Sequence, residues 1–284
     1  MPGSGIGLYV VATLVVAFGL GGLAALSSHA LLPLVLPELG LMAVVLASPG
    51  LLALGLAARE RGWAGVRALL GAAGHWRVPA RWYLVALLLP VVINGTALLV
   101  AAASGRPVPN LPGALAPEQQ LVPLAALPLY FLVPSLAEEL GWRGYALARL
   151  QRRHSPFIAS LVIGAVWAAW HLPFGWLAGS TQGAIPVGPY VVATVAMAVL
   201  FTWLYNHTGG SLLLVTLLHA SVQASNVLLP VLPTATGGTS VYVGTVIVTL
   251  LLAGAVVRWA GPALGAGTDL PGRPRGTRIS TPAR

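Results

Sequence analysis

Apolar residues in this chain come in long continuous runs, separated by short polar or Gly/Pro-rich breaks. Eight runs can be drawn, at residues 6–26, 31–57, 82–103, 121–142, 157–177, 187–205, 211–231 and 241–257. Each is close to the ~20 residues that cross a bilayer as a helix. The short alternating segments of a membrane β-barrel are not what the runs resemble. The pattern predicts an all-α fold, a polytopic transmembrane bundle of about eight helices. The first run lacks a basic flank and is followed by further spans, so it reads as an ordinary first helix and not as a secretion signal.

Composition sharpens this. Of 284 residues, 57% are hydrophobic and 7% charged, against roughly 25% charged in soluble domains. So few charges cannot cover a water-facing surface. In lipid, only helices and closed barrels satisfy the backbone. Cysteine is absent, which excludes disulfides, thiolate metal sites and a Cys nucleophile. Lysine is absent too, and with Ala, Gly and Leu abundant the composition points to a GC-rich bacterial genome.

The net charge of +9 needs no nucleic-acid partner, because cytoplasmic loops of membrane proteins collect arginine. Arg59, Arg61, Arg67, Arg77 and Arg81 follow the second run, Arg149, Arg152 and Arg153 the fourth, and Arg258, Arg273, Arg275, Arg278 and Arg284 the last. The opposite connections hold only Arg106. Alternating spans put the three groups on one side, so both termini are expected in the cytoplasm of a bacterial cell membrane. Residues 1–260 read as one transmembrane domain with its polar core within about 121–231, and 261–284 as a basic, disordered tail. Lipid is the first expected partner.

Against this background the polar residues inside the runs stand out. Glu60, Glu118 and Asp269 fall in connections or the tail, and Glu38, after Pro37, suits a helix N-terminus. Glu138 and Glu139 remain, inside the fourth run. One charge at the bilayer centre costs roughly 2.5–3.5 kcal/mol on insertion scales, and such residues default to function. Arg143 lies about 40° from Glu139 around an α-helix, a favourable pairing. Glu138 is about 100° away and free to face the bundle interior.

His171 in the fifth run and His219 in the seventh supply partners. At ~1.5 Å per residue, Glu138, His171 and His219 lie about 21, 21 and 12 Å from the cytoplasmic ends of their spans, so they can meet at one level. Gln223, one turn after His219, can donate to an oxyanion or bond a neighbouring helix. Asn94 and Asn226 carry weaker signals, Asn206 and His207 are expected to cap the seventh span, and Trp167 and Trp170 read as packing or interface anchors.

Three motifs carry a resemblance: Glu138-Glu139-Leu-Gly-Trp-Arg143, Trp167-Ala-Ala-Trp-His171-Leu-Pro173 and His219-Ala-Ser-Val-Gln223. In this order, each in a separate apolar run, they resemble the CAAX protease and bacteriocin-processing (CPBP, ABI) family of intramembrane proteases. The resemblance spans residues 136–223. It implies an eight-helix endopeptidase in which Glu138 is the catalytic carboxylate and His171 helps it activate water. His219 and Gln223 would stabilise the oxyanion, and Glu139 with Arg143 would hold the first motif. The family usually has Asn where this chain has Gln223.

The chemistry implied is peptide hydrolysis in a polar cavity, expected to open to the cytoplasm. A buried carboxylate is a better base near neutral pH, and an oxyanion donor completes the set. Glu138, His171 and His219 would also suit a single catalytic zinc, a cofactor the family is commonly said to use. The same residues work without metal as a glutamate protease, the mechanism favoured here. The expected substrate is a peptide or membrane-protein segment. The alternatives are a non-catalytic membrane peptide-binding or immunity protein using the same cavity, and a proton-coupled transporter, against which the lack of an inverted repeat counts.

Overall fold

Prolines and serines mark where the apolar runs become helices. Ser155 and Ser211 are N-caps whose Oγ atoms accept from the amides of Ile158 and Leu214, and Pro156 occupies the first turn of its helix. Pro37, Pro79 and Pro186 precede three further helices. The computed structural model describes residues 4–106, 108 and 127–266, with no strand among them.

The long helices are α1 (Ser4–Ser28), α2 (Glu38–Ala73), α3 (Ala80–Ala103), α4 (Leu127–Glu139), α5 (Pro156–His171), α6 (Val187–His207), α7 (Leu212–Leu228) and α8 (Ser240–Ala260). Helix α4 continues as a π-helix over Leu140–Leu147 and a last α-turn at Ala148–Leu150. The bundle of about eight helices is as the apolar runs predict. Seven are long and apolar enough to cross a bilayer on those grounds alone. The exception is α4, whose α-helical part has 13 residues and ends on Glu138 and Glu139.

Several boundaries differ from the sequence reading. Helix α2 begins at Glu38, not residue 31, and runs through Arg59, Arg61 and Arg67 to Ala73, so the charged stretch expected as a loop is helical. It breaks only at Gly62, whose φ of +58° suits glycine. Asn206 and His207 do not cap the seventh span. They end α6, where Asn206 Nδ2 donates to the Leu264 carbonyl and the His207 ring stacks on Trp259. Residues 261–266 fold back onto the bundle, with Leu264 fully buried and the Pro262 carbonyl accepting from the Phe157 amide. Residues 109–126, with the start of the fourth run and Glu118, lie outside the described residues, as do 267–284 with Asp269, Arg273, Arg275, Arg278 and Arg284.

Successive helices run up and down. Helix α4 with its π-helical extension packs between α2 and α7, while α3 contacts α7 and α8, and α5 pairs with α6. Glycines allow α2 and α4 to approach closely: a Cβ on Gly141 would meet the Pro49 carbonyl at 2.6 Å as well as the Tyr9 hydroxyl, and one on Gly50 would meet the Ala137 carbonyl at 2.5 Å. Small residues at such crossings drive helix association in lipid, where no hydrophobic effect separates helix from solvent. The first motif is thereby locked in the bundle centre.

Candidate active site

Glu138 and Glu139 close the α-helical part of α4, just where the ladder widens into the π-helix. Both are buried, at 2% and 0% exposure, as is Arg143 at 0%. Such π segments are rare and cluster at functional sites. The widening means the α-helical angle used to pair Glu139 with Arg143 does not strictly apply past residue 139. The pair still forms, because the guanidinium reaches back: Arg143 Nη1 donates to Glu139 Oε1 at 2.8 Å. The guanidinium carbon also lies 4.6 Å from the Trp167 ring centroid and 4.2 Å from that of Phe201, so two aromatic faces share the cation.

The second partner of Glu139 is His219. Its Nδ1 donates to the same Oε1 at 2.9 Å, which leaves Nε2 as the ring's other polar atom. Glu139 therefore ties α4 to α7 as well as to its own helix. The sequence reading grouped His219 with Glu138. In the structure its direct carboxylate partner is Glu139.

Glu138 faces the other way, into a cavity of about 910 Å³ that His171, His219 and Gln223 also line. Its Oε2 accepts from the Trp167 indole Nε1 at 2.9 Å. Trp167 is the hub of the site, with its ring 5.7 Å from that of His171 and 5.4 Å from that of His219, centroid to centroid. His171 Nδ1 donates to the Trp167 carbonyl at 2.9 Å, leaving Nε2 to accept a proton. Trp170, the motif's other tryptophan, packs against Trp142, His171 and Phe174.

Gln223 Nε2 donates to Ser135 Oγ at 3.3 Å, a second tie between α7 and α4. Asn94 Nδ2 donates to Ser225 Oγ and Asn226 Oδ1, each at 2.9 Å, and both asparagines line the cavity. Sequence reasoning thus brought the four cavity residues together and missed two features. Trp167 was read as packing, although its place four residues before His171 puts it on the same helix face. Asn94 sits alone in α3, and nothing in its local sequence shows the cavity.

A zinc centre would need Glu138, His171 and His219 around one point. Among the described residues no three His, Asp or Glu side chains stand together as a metal site. His219 Nδ1 is engaged by Glu139, His171 Nδ1 by a carbonyl and one Glu138 oxygen by Trp167, which leaves both Nε2 atoms and the other carboxylate oxygen for chemistry.

The cavity lies at one end of the bundle. It takes its walls from the first turns of α2 (Leu39, Met42), the first half of α6 (Tyr190, Thr194) and of α8 (Tyr242, Thr245), the end of α5 (His171) and the second half of α7 (Gln223, Asn226). At the opposite end, Arg59, Glu60, Arg61, Arg149, Arg152 and Arg153 surround a second, polar pocket of about 510 Å³. There Glu60 accepts from Arg149 and from the Tyr145 hydroxyl.

Fold and site together define a polytopic helical membrane protein with a buried carboxylate–histidine centre, and its apolar helices make it an integral membrane protein. Residues 120–225, which include all three motifs, match the family model described as type II CAAX prenyl endopeptidase Rce1-like. The chain is also 30% identical over 154 residues to CAAX prenyl protease 2 of Methanococcus maripaludis, a stretch covering 52% of this chain and 56% of that protein. The chain therefore spans little more than half the length of this curated relative. The resemblance that the motifs carry, to the CAAX protease and bacteriocin-processing family of intramembrane proteases, is borne out by both matches.

Proposed function

We propose that this chain is an intramembrane endopeptidase that hydrolyses a peptide bond with a water activated by Glu138 and His171. The observation that carries the reading is a single one. Glu138, His171, His219 and Gln223, from three helices, line one cavity inside an apolar bundle. Buried ionisable groups are costly in a membrane and persist where they have work to do.

In this mechanism Glu138 takes a proton from water as the oxygen attacks the peptide carbonyl carbon. Trp167 holds one carboxylate oxygen, so the other faces the water. His171, anchored through Nδ1, presents Nε2 to the same water. The oxyanion is met by the Gln223 amide and by the His219 ring, which Glu139 holds in place through Nδ1. The C–N bond then breaks, and the proton taken from water passes to the leaving amine. Glu139 and Arg143 hold these groups in place and do not touch substrate. No step is routed through a metal.

The domain assignment belongs to the same proposal: residues 1–260 form the protease domain, and 261–284 a basic tail. The arginine-rich end lies in the cytoplasm, with both termini. Arginine bias near span ends sets orientation, and a pocket with five arginines to one glutamate suits the anionic headgroups of that leaflet. The substrate is a peptide or membrane-protein segment.

The test is cleavage profiling of membrane peptides by wild type against Glu138→Gln, in proteoliposomes with matched protein content. Products made by wild type and absent with Glu138→Gln are expected. Identical profiles would remove the enzyme reading.

A further inference from the structure

We infer that the arginine-lined pocket, at the end of the bundle opposite the cavity, binds the phosphate headgroup of an anionic phospholipid whose acyl chain lies along the exposed apolar face of α1. The site is separate from Glu138 and its neighbours, and it does not depend on the endopeptidase reading.

Three elements meet at this pocket. The start of α1 contributes Gly5, Ile6 and Leu8, α2 contributes Leu56 and the run from Arg59 to Arg61, and the segment after the π-helix contributes Arg149, Arg152 and Arg153. They approach closely because Gly5 has no side chain. A Cβ there would meet Glu60 Oε1 at 2.6 Å and the Tyr145 hydroxyl at 2.8 Å. The pocket holds about 510 Å³, within the roughly 300–1,000 Å³ usual for small-molecule sites.

Charge calls for an anion. Five arginines stand against one glutamate, and that glutamate is already used: Glu60 accepts from Arg149 and from the Tyr145 hydroxyl. Arg149 is fixed further, since its Nη1 donates to the Tyr145 carbonyl at 3.1 Å and its guanidinium carbon lies 3.5 Å from the Tyr145 ring centroid. Among the described residues, no carboxylate lies within ion-pair distance of Arg59, Arg61, Arg152 or Arg153. All four are exposed. Like charges gathered around one pocket repel one another, and an anion placed among them turns that repulsion into attraction. The planar guanidinium also matches phosphate oxygens in a bidentate fork.

The apolar side of the pocket distinguishes a phospholipid from free phosphate. Leu56 lies three residues, about 4.5 Å, further into the bundle than Arg59 along α2, and Leu8 lies as far inward from Gly5 along α1. From Leu8 an apolar stripe continues along α1 through Val11, Val15 and Phe18, with exposures of 45%, 60%, 64% and 39%. Spacings of three, four and three residues put all four side chains on one helix face. An acyl chain lying on that face places its phosphate among the arginines. Each basic group near an anionic leaflet adds to the attraction, so four arginines without carboxylate partners select an anionic headgroup over a zwitterionic one.

The test is the thermal stability of the detergent-purified full chain with added phosphatidylglycerol, phosphatidylcholine of the same acyl chains, or inorganic phosphate. A ligand that binds only the folded state raises Tm by mass action. Phosphatidylglycerol should raise Tm saturably, and the other two at equal concentration should not. The double variant Arg152→Gln, Arg153→Gln should need roughly thirtyfold more phosphatidylglycerol for the same rise, as the loss of two charges near an anionic surface implies. Both side chains are exposed, so its Tm without lipid should match wild type. The double variant Arg67→Gln, Arg258→Gln, at the same end but outside the pocket, should respond as wild type does. No rise with phosphatidylglycerol would overturn the inference. An equal response to phosphatidylcholine would reduce the site to acyl packing, and a full response to inorganic phosphate would make it a free-phosphate site; either overturns the assignment of an anionic lipid. Equal loss in the two double variants would leave only diffuse charge and overturn the pocket. Cleavage is not read in this experiment, so failure of the endopeptidase reading and failure of the lipid site remain distinguishable.

Discussion

The indole Nε1 of Trp167 donates to Oε2 of Glu138 at 2.9 Å, joining α5 to the carboxylate that faces the cavity. In the proposed mechanism this bond fixes which Glu138 oxygen is left for water. Hydrogen bonds to charged groups contribute roughly 1.5–3 kcal/mol. Trp167→Phe keeps an aromatic ring under Arg143 and removes the donor. Its kcat should fall at least about tenfold, at roughly 1.4 kcal/mol per factor of ten, with little change in thermal stability. A variant with wild-type turnover would show that the bond does not position the base.

Arg143 is the partner Glu139 cannot lose. Removing one member of a buried ion pair typically costs about 3–5 kcal/mol, because the other charge stays buried. Arg143→Met should lower the Tm of detergent-purified protein sharply or prevent its recovery. Adding Glu139→Gln should restore much of the loss, since neither charge then remains. A single variant as stable as wild type would contradict the structural role given to this pair.

The proposed mechanism gives Gln223 two separable roles. As an oxyanion donor its loss should cost about 10²–10³ in kcat, and as a tie to Ser135 it should contribute to stability. Gln223→Ala tests the first and Ser135→Ala the second. The expected outcome is a large rate loss only for Gln223→Ala. Gln223→Asn, the shorter amide usual in similar proteases, should retain most of the rate. Equal, purely structural effects of both alanine variants would assign Gln223 to helix packing.

Activity should survive exhaustive chelation, given that no three ligands converge among the described residues. Turnover before and after chelation, with metal content measured on the same samples, checks this. Loss of activity restored by zinc would reassign Glu138, His171 and His219 as ligands.

Gly141→Ala should destabilise the bundle by about 1–3 kcal/mol, the usual cost of overpacking. Its new methyl group would press on Tyr9 and the Pro49 carbonyl. The readout is Tm in detergent, with Gly55→Ala, where a Cβ meets nothing within 4 Å, as the neutral comparison.

By itself the sequence determined the solvent of this protein and singled out polar residues that prove to line one cavity. Long apolar runs with so little charge require a helical bundle in lipid, because no other structure satisfies the backbone there. Any Glu or His inside those runs is costly enough to be conspicuous, which is why Glu138, Glu139, His171 and His219 could be read without coordinates. The tertiary structure decided the pairings. Glu139 takes both Arg143 and His219, and Trp167 takes Glu138, because those contacts cross between α4, α5 and α7 and depend on how the helices rotate against one another. Local periodicity also gave no sign of the π-helix after Glu139 or of the charged half of α2 staying helical to Ala73. It could not place the cavity along the membrane normal either. That position depends on which halves of seven helices leave space between them, a property of packing alone.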